Sequence, residues 1–207
     1  MISDRLRCIF IHIPKCAGSS FESVLWPGER TQADLWMGFV DAYHNAYQTD
    51  GLQHLRAIHV REAVGSQRFD SYFKFAIVRN PFDRVVSQYV YITRRPDLRR
   101  YLGMEDVATF SEYLELIATG PPHAQWEPQR RFLVDDSTDE LLVDFVGRYE
   151  NLAADAQEVF AKLGIEAELP HENRGARGRY RDYYAAGDRQ RVEGIYGSDI
   201  EWLGYQF

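Results

Sequence analysis

The sequence predicts an α/β protein, built as three α/β/α layers around a central parallel sheet in one domain over residues 1–207. Two observations carry this. Short apolar runs stand at 7–13 ("RCIFIHI"), 55–60 ("LRAIHV"), 72–78 ("YFKFAIV") and 141–146 ("LLVDFV"). The first, third and fourth are almost continuously apolar, as strands covered on both faces are. Between the runs lie segments with helical spacing, and strands alternating with helices imply right-handed crossovers onto a parallel sheet.

Each element has its own signals. Helices are expected at 19–26 ("SSFESVLW"), 31–48, 81–95 ("PFDRVVSQYVYITRR"), 109–120 ("TFSEYLELIATG") and 151–164 ("NLAADAQEVFAKLG"). Pro81 suits a first helical turn, where its missing N–H costs nothing. Asn151 reads as an N-cap and Gly164 as a C-terminal stop. After 174 the chain is polar and rich in Arg and Tyr until "VEGIYGSDIEWLGYQF", which reads as a loop feeding a last helix.

Composition narrows the function. The 207 residues carry a net charge of −7, which argues against a general nucleic-acid binder, since that needs a positive surface to release counterions. The arginines are nevertheless clumped, in "RRPDLRR" (94–100) and "NRGARGRYR" (173–181). Guanidinium forks match phosphate and sulfate oxygens, so each clump is read either as an anion seat or as a solvated face. Cys8 and Cys16 flank a strand; an extended path would separate them by roughly 25 Å at about 3.3 Å per residue. A disulfide is therefore not expected, and a reducing, cytoplasmic setting is. No apolar run approaches the roughly 20 residues of a membrane span, and "MISDRLRCIF" lacks a signal peptide's apolar stretch.

Two stretches carry chemistry. In "HIPKCAGSSFE" a strand runs into a turn and then a helix, whose N-terminus offers N–H groups and partial positive charge to an anion. Gly18 permits close backbone approach, Ser19 and Ser20 add hydroxyls, and Lys15 adds a mobile cation. The alternative is an ordinary capped helix with Ser19 as N-cap and Glu22 as its capping-box partner. The lysine precedes the glycine, unlike the P-loop G-x-x-x-x-G-K-[ST], and no acidic metal-holding signature accompanies it. A metal-free phosphate ligand is thus the economical reading, and a nucleotide kinase the less economical one. In "FKFAIVRNPFDRVVSQY" Arg79 ends a strand, at the edge where open α/β sheets bind ligands, and Ser87 lies two turns into the next helix. The pair suits one phosphate held from two sides. Arg79 also suits a salt bridge to Asp83, and Ser87 a bond within its own helix.

Together, "IFIHIPKCAGSSFESVL" and "YFKFAIVRNPFDRVVSQYVY" resemble the carbohydrate-type sulfotransferases that use 3′-phosphoadenosine 5′-phosphosulfate (PAPS). The resemblance continues through "PQRRFL" (128–133), "DFVGRYENL" (144–152), "LPHENRG" (169–175) and "IYGSDIEWLGYQF" (195–207). It implies a P-loop-like sulfotransferase fold, PAPS as co-substrate without metal, and a hydroxyl acceptor on a carbohydrate or glycolipid. It also implies that Lys15, Cys16, Ala17, Gly18, Ser19 and Ser20 hold the 5′-phosphosulfate, and Arg79 and Ser87 the 3′-phosphate. Arg174 and Gly175 would cover the adenine. Family members commonly carry threonine at the positions of Cys16 and Ser19; serine keeps the hydroxyl and Cys16 loses it.

Sulfuryl transfer needs a stabiliser for the leaving nucleotide, for which Lys15 stands, and a base for the acceptor hydroxyl. The resemblance points to His59, although Ile58 replaces the family's preceding glycine. Glu22 is the other candidate weighed. His12 alternates with Ile11 and Ile13 and reads as packing, while His44, His54 and His123 have no motif behind them and His171 lies towards the nucleotide loop. Trp126, Tyr183 and Tyr184 read either as sugar-stacking rings or as core or surface packing. A catalytically silent nucleotide-binding protein is the reading from a different class.

Overall fold

The computed structural model describes residues 1–27, 54–170 and 178–207. The helix expected at 31–48, with His44, lies outside the described residues, as do His171, Arg174 and Gly175. By its contacts the chain divides into two compact units, Met1–Val78 with Gln129–Arg174, and Arg79–Pro128 with Gly175–Phe207.

The first unit holds a four-stranded sheet in the order β1 (Ile2–Ser3), β2 (Cys8–Ile11), β3 (Phe73–Val78), β4 (Phe145–Arg148). β2, β3 and β4 run parallel, as the apolar runs predict. β1 is a two-residue antiparallel edge, too short to leave a periodic signal. Cys8, Ile9, Phe10 and Ile11 are all fully buried, so β2 is covered on both faces. Helix α1 (Gly18–Leu25) packs on the sheet through Phe21, whose ring lies 5.3 Å from Phe10, 5.4 Å from Phe75 and 6.0 Å from Phe160 of helix α8 (Leu152–Leu163). Gly164 ends α8 in the left-handed conformation, as expected. Asn151 does occupy the N-cap position, but its side chain bonds to Asp155 instead of capping.

The run 55–60 is a correction. Residues Ala57–Val64 form helix α2, followed by α3 (Ser66–Ser71). Its buried residues, Ala57 and Val60, have helical i, i+3 spacing, which a short apolar run does not distinguish from alternation. Gly65, at φ 81°, separates α2 from α3. Ion pairs Arg56–Asp136 at 2.9 Å and Arg61–Asp135 at 3.4 Å tie α2 to the turn after helix α7 (Arg130–Leu133). The run 141–146 is shifted: Leu141 makes an isolated bridge with Val134, and the strand proper begins at Phe145.

The second unit is helical: α4 (Pro81–Thr93), α5 (Pro96–Tyr101), α6 (Phe110–Thr119) and α9 (Asp188–Leu203). Pro81 is at N1, and Asn80 caps α4 by accepting from the Phe82 N–H at 3.0 Å. Thr109 and Glu112 form a capping box at α6. Phe82, Val85, Val86, Phe110, Tyr113, Ile117, Val192 and Tyr196 make the core. In the arginine clump at 94–100, Arg99 donates to the carbonyls of Met104, Glu105 and Val107, whereas Arg94, Arg95 and Arg100 are exposed, Arg95 lying 4.2 Å over the Tyr91 ring and Arg100 pairing with Glu105. Trp126 is buried and donates to the Pro121 carbonyl. Tyr184 donates to the Phe82 carbonyl, and Tyr183 packs edge-on against Tyr89 and Phe110. Of the three rings read as sugar platforms or packing, Trp126 is core, while Tyr183 and Tyr184 are half-buried.

Candidate functional site

β2 and β3 are parallel neighbours with Ile11 opposite Ala76, so their carboxyl ends leave the sheet at one edge. That is the edge where open α/β sheets place ligands.

Beyond β2 the turn is backbone-strained. Lys15 has φ 68° and Ala17 φ 64°, both left-handed, a region that costs a non-glycine residue about 1–2 kcal/mol. Alternating left- and right-handed residues turn successive N–H groups towards one side, the geometry of an anion nest. Ser20 and Phe21 N–H groups close back on the Ala17 carbonyl at 3.1 and 3.4 Å. Among the described residues, no acceptor takes the N–H of Ala17, Gly18 or Ser19. Ala17 is the N-cap of α1 and no side chain caps it, so the expected Ser19–Glu22 capping box is not formed. Ser19 is exposed, Ser20 is buried and Lys15 is half-buried. Because Ala17 holds its strained φ without a functional side chain, Ala17→Gly should raise stability by up to about 1 kcal/mol in urea unfolding. A net loss would mean that the turn is not strained there.

Cys16 faces inward. It is buried, its N–H bonds to the Ile13 carbonyl, and its thiol lies 3.4 Å from Gln129 Oε1 and 3.6 Å from the Pro14 carbonyl. The hydroxyl lost at this position is therefore replaced by an internal contact. Both cysteines are free, and burial pushes the Cys8 thiol up to about 12.

Behind the turn sits a cluster that sequence reasoning left dispersed. The His12 ring stacks on Phe10 at 5.6 Å, and its Nδ1 lies 3.2 Å from Glu22 Oε1, in charge-contact range but without hydrogen-bond alignment. Glu22, the alternative base, therefore faces the His12 ring. A Cβ on Gly18 would fall 1.8 Å from His12 Nε2, so Gly18 makes room for this ring. His54 packs edge-on at 4.6 Å from the His12 ring, and its Nδ1 lies 3.0 Å from the His12 carbonyl. A carbonyl only accepts, so Nδ1 carries the proton and Nε2 of the neutral ring holds the lone pair. His54 is buried. His59 is half-buried on α2, not at a strand end.

In the second unit, Arg79 is buried and bound to Asp83, with Nε and Nη2 at 2.8 and 2.6 Å from Asp83 Oδ2. The salt bridge foreseen as the alternative is therefore present. Asp83, the partner of Arg79, lies one turn before Ser87, so Asp83 and Ser87 share a face of α4. Arg84, in the same motif, is also buried but donates to the carbonyls of Glu127 and Gln125 at 3.0 and 3.3 Å.

Among the described residues, no group of three His, Cys, Asp or Glu side chains could hold a metal ion, and no helix is long and apolar enough to cross a membrane.

Comparison with known proteins follows the two motifs. A family model described as "Sulfotransferase family" matches residues 1–206. Carbohydrate sulfotransferase 14 is 29% identical over 182 residues in Mus musculus and 27% over 181 in Homo sapiens, each match covering 77% of this chain and 45% of that protein. An uncharacterized protein of Archaeoglobus fulgidus is 34% identical over 110 residues, covering 53% of this chain and 82% of its own length. The chain thus spans about half the length of the carbohydrate sulfotransferases it matches. With the family model covering the chain almost end to end, over a parallel α/β sheet and both strand-to-helix motifs, the protein belongs to the sulfotransferase family.

Proposed function

We propose that the protein moves a sulfonate from PAPS to a hydroxyl, with a carbohydrate as the acceptor class. The observation that carries this is the turn 14–18: two left-handed residues, an uncapped helix N-terminus and Lys15 together suit a phosphosulfate. The similarity to carbohydrate sulfotransferases supports the acceptor class. In this reading Lys15 and residues 16–20 take the 5′-phosphosulfate, Arg79 and Ser87 the 3′-phosphate, and Arg174 and Gly175 the adenine end.

The reaction is an in-line displacement at sulfur. The acceptor oxygen forms a bond to sulfur as the bond from sulfur to the bridging phosphate oxygen breaks, and the hydroxyl proton passes to the base. Lys15 offsets the charge growing on the bridging oxygen. For the base, the sequence favours His59. His54 is a second candidate, because its ring adjoins the His12–Gly18 contact and its Nδ1 is held at the His12 carbonyl.

Incubation with labelled PAPS and a panel of oligosaccharides, glycolipids and phenols should give an acceptor mass gain of one sulfonate. With His54 as the base, His54→Ala should lower kcat by about 10²–10⁴-fold with donor affinity nearly intact, while His59→Ala changes kcat less than tenfold. The reverse pattern would return the base to His59. Tight, magnesium-dependent ATP binding with no sulfonate transfer would favour the kinase reading.

A further inference from the structure

The closing segment of the chain is folded back onto the second motif. At the end of α9, Gly204 takes φ 67° and the Tyr205 N–H bonds to the Ile200 carbonyl at 3.0 Å, a left-handed cap that reverses the chain. The reversed chain meets the start of α4. The Gln206 carbonyl accepts from Asn80 Nδ2 at 2.8 Å, and the Phe207 ring meets Phe82 edge-on at 5.1 Å. Arg181 donates to the Phe207 carbonyl at 2.7 Å, and the guanidinium groups of Arg181 and Arg189 lie 5.1 and 5.4 Å from the Phe207 ring centre. Tyr184 adds an edge contact at 5.0 Å.

Asn80 uses both ends of its amide, with Oδ1 capping α4 at the Phe82 N–H and Nδ2 holding Gln206. It stands directly between Arg79 and the first turn of α4, and that turn carries Asp83, the partner of Arg79. We propose that Gln206 and Phe207 are positioning residues for the second phosphate grip: through Asn80 and Phe82 they fix the N-cap of α4, and thereby the Asp83 carboxylate that aims Arg79. This rests on assigning Arg79 and Ser87 to the 3′-phosphate. Cation–π and edge contacts would then stabilise a binding geometry as well as a fold.

The test compares adenosine 3′,5′-bisphosphate with adenosine 5′-monophosphate by calorimetry. The proteins are the full chain, a chain stopped after Tyr205, Phe207→Ala and Asn80→Ser. The full chain should prefer the bisphosphate. Each variant should lose about tenfold of that preference, one charge-assisted contact's worth, with monophosphate affinity unchanged. Should the shortened chain fail to fold, Asn80→Ser decides, because serine still caps the helix but cannot reach Gln206. Folded variants that keep the full preference would overturn the positioning role alone. A full chain with no preference for the bisphosphate would overturn the 3′-phosphate assignment, and the positioning role with it.

Discussion

Gly18→Ala should abolish transfer, and adding His12→Ala to the same chain should restore part of it. The new Cβ would stand 1.8 Å from His12 Nε2 and 2.2 Å from both Cδ2 and Cε1, far inside any tolerable contact. Gly18 is not left-handed, so alanine carries no backbone penalty there and the whole effect comes from the ring. The ring has little room to retreat, since Phe10 stacks on it, Glu22 flanks Nδ1 and His54 closes its edge. The turn must move instead. A displacement near 1 Å at a reacting centre costs about 10²-fold, so kcat/KM should fall at least that far, with bisphosphate affinity falling alongside. His12→Ala removes all three clashing atoms. The double variant should therefore regain about tenfold or more over Gly18→Ala, a coupling within the range for touching residues. A double variant as inactive as Gly18→Ala would show that the glycine answers a different need, such as direct approach of the ligand.

The same contact shows what sequence reading can reach. The strand–turn–helix order and the parallel sheet were legible because the β2 and β3 runs are almost continuously apolar, interrupted in β3 by Lys74, and largely buried. Gly18 was legible as a special position, but its reason was not, because that reason is the ring of His12, six residues earlier, folded back over it. His54 was hidden for a related cause: its link is to the carbonyl of His12, 42 residues away, and no local spacing marks such a pair. The resemblance pointed to His59, inside the run 55–60, yet that run enters helix α2, where Ala57 and Val60 supply the buried side. The left-handed Lys15 and Ala17 are invisible in composition, since neither is a residue that usually signals positive φ. In the arginine clumps, charge admits an anion seat or a solvated face; Arg99 and Arg181 serve carbonyl groups of their own unit, while Arg174 and Arg177 lie outside the described residues. Guanidinium forks suit both partners, and only the fold decides.

Arg84 and Arg79 make that point most sharply, since they stand five positions apart in one motif and should fail in different ways. Among the described residues, Arg84 is one of the largest fully buried side chains. It donates to the Glu127 and Gln125 carbonyls, and its guanidinium lies 5.8 Å from the ring centre of Tyr196. Tyr196 is itself buried, donates to the Trp126 carbonyl and sits at the kink in α9. Burial raises its hydroxyl far above the usual tyrosine range, so the hydroxyl stays a neutral donor. Arg84 therefore joins α4, the 124–127 turn and α9. Arg84→Met keeps much of the volume but takes two charge-assisted bonds from buried carbonyls, each worth about 1.5–3 kcal/mol. The expected loss is about 3–5 kcal/mol in urea unfolding, a large share of a typical domain's stability. Arg84→Lys should recover little, because one ammonium lacks the fork that spans two carbonyls. Arg79→Ala should instead cost bisphosphate preference first, with some loss of stability, because the Asp83 carboxylate it leaves behind is only 17% exposed. If Arg84→Met lost less than about 1 kcal/mol while bisphosphate preference collapsed, the roles of the two arginines would have to be exchanged.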